Sequence, residues 1–438
     1  MKMKQIKQLL MDEVKKVSKN IEHFCVNPGK NFTRERKIPV EKLILGIIGM
    51  QSANLTNELL NLYDASVDTP TASAFVQQRS KLKPEAFEEI FQGFSKQLCS
   101  EKNSDLPVFA VDGSDIQIAT NPDDVSSYFS GLNGQKGYNL LHLNALYDLN
   151  KNIYVDAIIQ KRFDWNEHEA LICMVDHSSI PKALVIADRG YESYNNMAHI
   201  QEKGWFFLIR VKDGISGIKA GLDLPDEAYF DMDIQLRLTR KQTKEAKILF
   251  KDKNHYKFIP HNINFDYLSS RSRKHDPLSF YDMNFRMVRF QITEDTYETV
   301  ITNLEREEYP PCKLKELYAS RWGIETSFRD LKYTVGMLNF HTKKTACIKQ
   351  EIYSHLIMYN FAQIVTSQVS IRKKQRKYTY KVNFCVAVHM CRLYFHGKTT
   401  PSVLETIIAK NLIPIRPDRH RERNIKPKGS HSFLYRVA

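Results

Sequence analysis

Two aspartates and one helical segment carry the residue types and spacings that could do chemistry. Asp112 is the first polar residue after the apolar run Val108-Phe109-Ala110-Val111, and Asp188 is the first after Ala183-Leu184-Val185-Ile186-Ala187. Glycine follows each within two residues. Such runs read as strands buried on both faces, and the carboxyl ends of central strands are where α/β folds place reactive groups. Taken singly, either aspartate reads first as a turn residue that ends its strand. The third element is a helix predicted from Lys313 to about Val335 and stopped by Gly336. At about 100° per residue, Tyr318, Arg321, Glu325 and Lys332 share an arc of roughly 60°. Leu317, Ile324, Phe328, Leu331 and Val335 form an apolar stripe beside it, able to pack on a sheet. The plainer reading of that polar face is a solvated edge with an Arg321–Glu325 pair of little energetic weight.

Together, two strand-end aspartates and a helical glutamate make a possible three-carboxylate site. Three carboxylates can hold two Mg²⁺ ions about 3.5–4 Å apart, one activating an attacking oxygen and the other stabilising the leaving oxygen of a phosphoryl displacement. Arg321 offers a bidentate fork for phosphate, Lys332 a point charge, and Tyr318 a hydroxyl with a stacking face. Without cations, clustered acids would repel DNA and one another, so metal is part of the expectation.

Positioning these groups requires a sheet with helices around it. Residues 1–100 read as helices, from the run beginning Val40-Glu41-Lys42-Leu43 and from the segment opened by Pro70-Thr71-Ala72. They form either a DNA-contacting domain or a helical cap on the core. Strand-like segments then alternate with helical ones, which defines an α/β core. Between 211 and 300 the helical period disappears. The expected division is a helical N-terminal DNA-binding domain (1–100), a first core part (101–210), a β-rich insertion (211–300), a second core part (301–370) and a helical basic C-terminal region (371–438).

Composition narrows the partners. Among 438 residues, 64 Lys and Arg against 50 Asp and Glu give a net charge of +14, which favours a polyanion. An apolar fraction of 42% with 26% charged residues excludes disorder, collagen-like and coiled-coil readings of the whole chain. No stretch is long and apolar enough to span a membrane, no secretory leader is recognisable, and the seven cysteines form no Cys-x-x-Cys pair. The expected location is cytoplasmic, with the protein on the bacterial nucleoid when DNA is bound. Two basic stretches could track a phosphate backbone. One is Arg372, Lys373, Lys374, Arg376, Lys377 and Lys381, interleaved with Tyr378 and Tyr380; the other is Arg416, Arg419, Arg421, Arg423, Lys426 and Lys428. Cys385, His389, Cys391 and His396 crowd one segment but fit no common zinc spacing and read as a buried helix.

The spacing Tyr318-x2-Arg321-x3-Glu325-x6-Lys332 resembles the signature of the DDE transposases of the insertion-sequence-four group. Val111-Asp112-Gly113-Ser114 and Ala187-Asp188-Arg189-Gly190-Tyr191 resemble the first and second catalytic blocks. Phe32 to Lys37 and Ser73 to Arg79 are similar to that family's helical region. The resemblance implies an RNase H-like catalytic core interrupted by the β insertion, and Asp112, Asp188 and Glu325 as catalytic residues and ligands of Mg²⁺, with Mn²⁺ as a substitute. It implies that Tyr318, Arg321 and Lys332 contact DNA phosphates, with Trp322 a candidate for stacking a flipped base and a packed core tryptophan as its other reading. The implied activity is cleavage of the 3′ ends of an insertion sequence at terminal inverted repeats and their joining to target DNA, by a homodimer that pairs two ends. A non-catalytic DNA-binding descendant and an RNase H-like nuclease without strand transfer are the alternatives.

Overall fold

The computed structural model describes residues 1–34, 37–100, 105–131, 134, 136–212, 217–269, 279–371, 378–415 and 434–435. Of the two basic stretches, Arg372–Lys377 and everything from Arg416 to Lys428 lie outside the described residues, as does Arg36. Among the described residues, no helix is long and apolar enough to cross a membrane.

Six helices come first: α1 (Met3–Lys19), α2 (Ile21–Phe24), α3 (Val40–Gly49), α4 (Leu55–Leu62), α5 (Ala72–Arg79) and α6 (Glu85–Cys99). Helix α1 buries Met3, Ile6, Leu10, Val14 and Val17, the three-to-four spacing of an amphipathic face. Helix α5 starts where the Thr71 hydroxyl accepts the Ala74 amide, an N-cap that satisfies a donor the helix itself cannot.

The middle of the chain supplies β1 (Val108–Ile118), β2 (Tyr128–Phe129), β3 (Tyr138–Asp148), β4 (Ile153–Gln160), α7 (Glu167–His177), β5 (Leu184–Ala187), α8 (Tyr194–Glu202) and β6 (Phe206–Arg210). Then come β7 (Phe230–Thr239), α9 (Lys244–Leu249), β8 (Tyr256–Phe258), β9 (Tyr281–Thr293) and β10 (Thr296–Thr302). These ten strands form one sheet in the order β2-β3-β1-β5-β6-β10-β9-β7-β8, with β4 also on β3. Strand β1 runs antiparallel to β3 and parallel to β5, and β5 parallel to β6. The strands between 211 and 300 continue this sheet through β10, and Ile234, Leu236, Met283 and Phe285 share an apolar cluster with Phe109, Val111 and Val185.

Alternation assigns the faces. Phe109 and Val111 pack under α7 and α8 with Val185 and Ala187, whereas Ala110 and Ile116 point to the other face. That other face meets α10 (Pro311–Ser320), α11 (Trp322–Arg329) and α12 (Thr345–Ser367). Helix α12 is buried on nearly every side, including Ile348, Ile352, Leu356, Phe361 and Val365, so it acts as a core helix and not as a surface one. Helices α13 (Phe384–Phe395) and α14 (Pro401–Lys410) follow. The result is a mixed α/β fold whose central sheet is flanked by helical regions from both ends of the sequence.

The segment expected as one helix from Lys313 to Val335 is broken. Pro311 opens α10, as its fixed φ allows in a first turn. Arg321 joins α10 to α11 with helical angles, but the hydrogen bonds across it run Arg321 to Tyr318 and Ile324 to Arg321, three residues apart. A π-helical stretch, Asp330–Val335, follows and ends at Gly336, whose φ of +100° suits glycine. Tightening at Arg321 and widening after Arg329 both displace side chains from a regular 100° spacing, so the polar face is not the single straight stripe that periodicity draws.

Candidate active site

Strand pairing brings the two aspartates together. Val108 pairs with Leu184, Phe109 with Val185 and Ala110 with Ile186. Continued by two residues, that register sets Asp112 level with Asp188, on the same face as Ala110 and Ile186, because paired residues on parallel neighbours point the same way. Asp188 lies just beyond β5, where its carboxylate accepts the Gly190 amide at 2.6 Å and starts a short 3₁₀ turn. Asp112 accepts the Gly113 amide at 2.9 Å.

Helix α11 lies over this face, anchored by Ile324 and Phe328 in the apolar cluster that also holds Ala110. It carries Glu325, whose Oε1 accepts a hydrogen bond from Arg321 Nη2 at 2.8 Å. The same guanidinium reaches toward Asp112, with Nη1 3.9 Å from Oδ2. Arg321 is only 7% exposed, and its Nε is buried without a hydrogen-bond partner. Its guanidinium carbon lies 5.9 Å from the Tyr318 ring centre and 5.4 Å from that of Trp322, within range of cation–π attraction.

Electrostatics tie the three carboxyl groups into one locus. Burial pushes the Asp112 carboxyl up to about 6; the Gly113 amide and Arg321 pull it down, and the charges of Asp188 and Glu325 push it up further. Among the described residues, no three His, Cys, Asp or Glu side chains are gathered closely enough to hold a metal ion. The carboxylates therefore share a field without converging on one point.

The remaining candidates separate. Tyr318 is buried in a third apolar cluster with Leu184, Ile186, Leu208, Val300 and Leu314, and burial raises its phenol above the usual range. Lys332 sits on the π-helical stretch and donates to the Asp115 carbonyl at 2.9 Å, which ties that stretch to β1. Trp322 is 50% exposed and is not a core residue, whereas Trp205 is fully buried and donates to the Ile180 carbonyl.

A neighbouring arrangement escaped the sequence. On the opposite face of β1, buried His142 has Nδ1 2.8 Å from Asp115 and Nε2 3.0 Å from Glu167, the latter an ion contact without hydrogen-bond alignment. Burial opposes its charge, but the contacts with Asp115 and Glu167 hold it above the ordinary histidine value. The Trp165 ring stacks on it at 4.3 Å. Gly113 makes this possible, because a β-carbon there would collide with the imidazole and the Glu167 carboxylate. The only sequence signal was the glycine after Asp112; the partners come from β3 and α7, which no local pattern links to it.

With this geometry in place, comparison with known families is decisive at the level of class. Residues 103–361, more than half of the chain, match the family model described as a transposase DDE domain, and the chain belongs to that family. Its members are enzymes of DNA transposition. A search of curated proteins finds no match. Among solved structures, the chain is similar to a piggyBac transposase in a synaptic complex with hairpin DNA, at 11% identity and a TM-score of 0.45, over 97% of this chain and 88% of that one.

Proposed function

We propose that this protein is a DNA transposase of the insertion-sequence-four type, with an RNase H-like core. On this reading it binds terminal inverted repeats as a homodimer, cleaves the 3′ ends of its element and joins them to target DNA. The observation that carries the reading is the register of β1 with β5, which pairs Ala110 with Ile186 and, continued by two residues, reaches Asp112 and Asp188, with the charges of Asp188 and Glu325 both acting on Asp112.

The donor types suit a hard divalent cation: three carboxylates, of which Asp112 is raised mainly by burial and further by the charges of the other two. Asp112, Asp188 and Glu325 would hold Mg²⁺, which when bound supplies activation of the attacking oxygen and stabilisation of the leaving one. The protein's own groups do the positioning. Arg321 presents its guanidinium to a phosphate, Lys332 adds a second cation on the adjoining turn, and Tyr318 supports Arg321 from beneath. Half-exposed Trp322 offers a ring to an unstacked base. Ile324 and Phe328 pack α11 on the sheet and so hold the helix that carries Glu325.

The test is incubation of DNA carrying the repeats that flank the coding region with Mg²⁺ and either the parent protein or Glu325→Gln. The parent is expected to release 3′ ends and to join them to a second duplex, and the variant to do neither. Undiminished cleavage by Glu325→Gln overturns the reading, and cleavage without joining assigns a nuclease.

A further inference from the structure

An exposed aromatic surface lies beside the His142 arrangement and outside the acidic locus. Strand β2 and the start of β3 supply Phe129 and Tyr138, paired across the ladder with their rings stacked 5.6 Å apart. The short 3₁₀ turn Arg162–Asp164, between β4 and α7, carries Phe163 and leads into Trp165. Trp165 meets the Phe129 ring edge-on at 6.2 Å. The Arg162 guanidinium lies 4.9 Å from the Phe129 ring centre and 5.7 Å from that of Phe163, and its Nη1 donates to the Tyr128 carbonyl at 2.8 Å. Phe163 is 70% exposed and Trp165 37%. A single exposed ring needs no explanation, but rings gathered around a guanidinium, two of them open to solvent, mark a surface for a partner.

The surface is braced from behind. Trp165 stacks on buried His142 at 4.3 Å, and Asp115 and Glu167 lie 2.8 and 3.0 Å from the two nitrogens of that imidazole. Asp115 belongs to β1, the strand that also carries Asp112. A ring held in this way has little freedom left to lose when a flat partner lies on it.

We propose that Phe163, Trp165 and Arg162 form a binding surface for unpaired DNA bases, separate from the acidic locus, which holds a single strand beside β1. A single strand offers free base faces along a phosphate chain, and aromatic rings interleaved with a guanidinium match both. In a duplex each base is already stacked on its neighbours, so the surface distinguishes the two forms. Asp164, exposed on the same turn, disfavours phosphate, which leaves stacking as the main attraction. The proposal rests on DNA as the substrate and not on the roles read for Asp112, Asp188 and Glu325.

Fluorescence anisotropy with the full chain tests this, using a labelled oligothymidylate of about 12 nucleotides and the same strand paired with its complement, at one ionic strength and without divalent cations. Phe163→Ala is expected to weaken the single strand about fivefold or more and the duplex less than about twofold. Arg162→Gln is expected to weaken the single strand and to reduce its slope of log affinity against log salt by about 1. In Trp322→Phe, where the remaining tryptophans are Trp165 and fully buried Trp205, the oligothymidylate is expected to quench emission. Single-strand binding that Phe163→Ala leaves unchanged, equal weakening of both DNA forms, or absent quenching overturns the surface. Altered sedimentation of Phe163→Ala with unchanged oligonucleotide affinity overturns it in favour of a contact between subunits. A parent chain that binds the duplex but no single strand defeats the surface alone, whereas one that binds neither defeats the DNA reading and the surface with it.

Discussion

Arg321 and Glu325 are joined by a 2.8 Å hydrogen bond across the joint between α10 and α11, so the cation and the acid of the polar face neutralise each other directly above Asp112. Because the two side chains are bonded, replacing either changes the other's environment, and binding must be measured apart from cleavage.

Removing the Glu325 charge is expected to separate those two properties. Glu325→Gln keeps the side-chain volume and liberates Arg321 from an ionic partner. Its affinity for duplex DNA should equal or exceed that of the parent while cleavage falls by about 10² or more, the scale of losing one transition-state contact. Electrophoretic mobility shifts beside a cleavage assay measure this, and a parallel loss of both would place Glu325 in DNA binding instead.

Lys332 carries its charge on the π-helical stretch beside β1. If it faces one phosphate, Lys332→Gln should weaken binding to all duplexes alike and reduce the slope of log affinity against log salt by about 1. An unchanged slope would leave Lys332 a structural role, through contacts such as its bond to the Asp115 carbonyl.

A buried network locks the N-terminal helices onto the core. Arg79 of α5 bonds Glu351 of α12 at 2.7 Å and Gln350 at 2.8 Å, while His341 contacts the same Glu351 carboxylate at 3.2 Å and the Ala53 carbonyl at 3.0 Å. Arg79 and Glu351 are essentially inaccessible to solvent. Breaking such a pair strands a buried charge, so Glu351→Gln should cost about 3–5 kcal/mol in urea unfolding. A loss below about 1 kcal/mol would mean the network is not sealed from water.

The same network fixes a pH profile. Burial opposes the ionisation of Glu351, but Arg79 and His341 hold it down to about 2 against an ordinary 4.5. Its folded value lies below its unfolded one, so its stabilisation is present above about 4.5 and lost as pH falls toward 2. Burial likewise opposes the charge of His341, yet Glu351 raises it above 6.5, so that contribution is full below 6.5 and lost as pH rises through the folded value. Urea midpoints across this range should be highest between those limits, and Glu351→Gln should flatten both flanks.

Gly113→Ala tests the packing beside Asp112. The added methyl meets His142 and Glu167, and the expected destabilisation is about 1–3 kcal/mol, the usual cost of overpacking. A variant as stable as its parent would show that His142 moves aside freely.

What the sequence determined alone was local. The apolar runs before Asp112 and Asp188 lie in buried stretches of strand because continuous apolar β-type residues leave no polar face. Arg321 and Glu325 meet because residues four apart on a helix are neighbours. Gly336 ends its helix because it adopts a φ that other residues resist. Tertiary structure decided what no window of sequence contains. It carried β1 on past Asp112 to Ile118, so that Asp112 lies inside its strand and not at its end, and it placed β1 beside β5, whose end carries Asp188. It buried Tyr318 against Leu184 and Ile186, although its helical spacing grouped it with the polar face. It carried β7 and β9 into the same sheet as the first strands, and brought His142 and Glu167 around Gly113 from two other elements. Each of these depends on strand order and cross-strand register, which arise from contacts among residues tens to hundreds apart, whereas periodicity reports only which side of its own element a residue occupies.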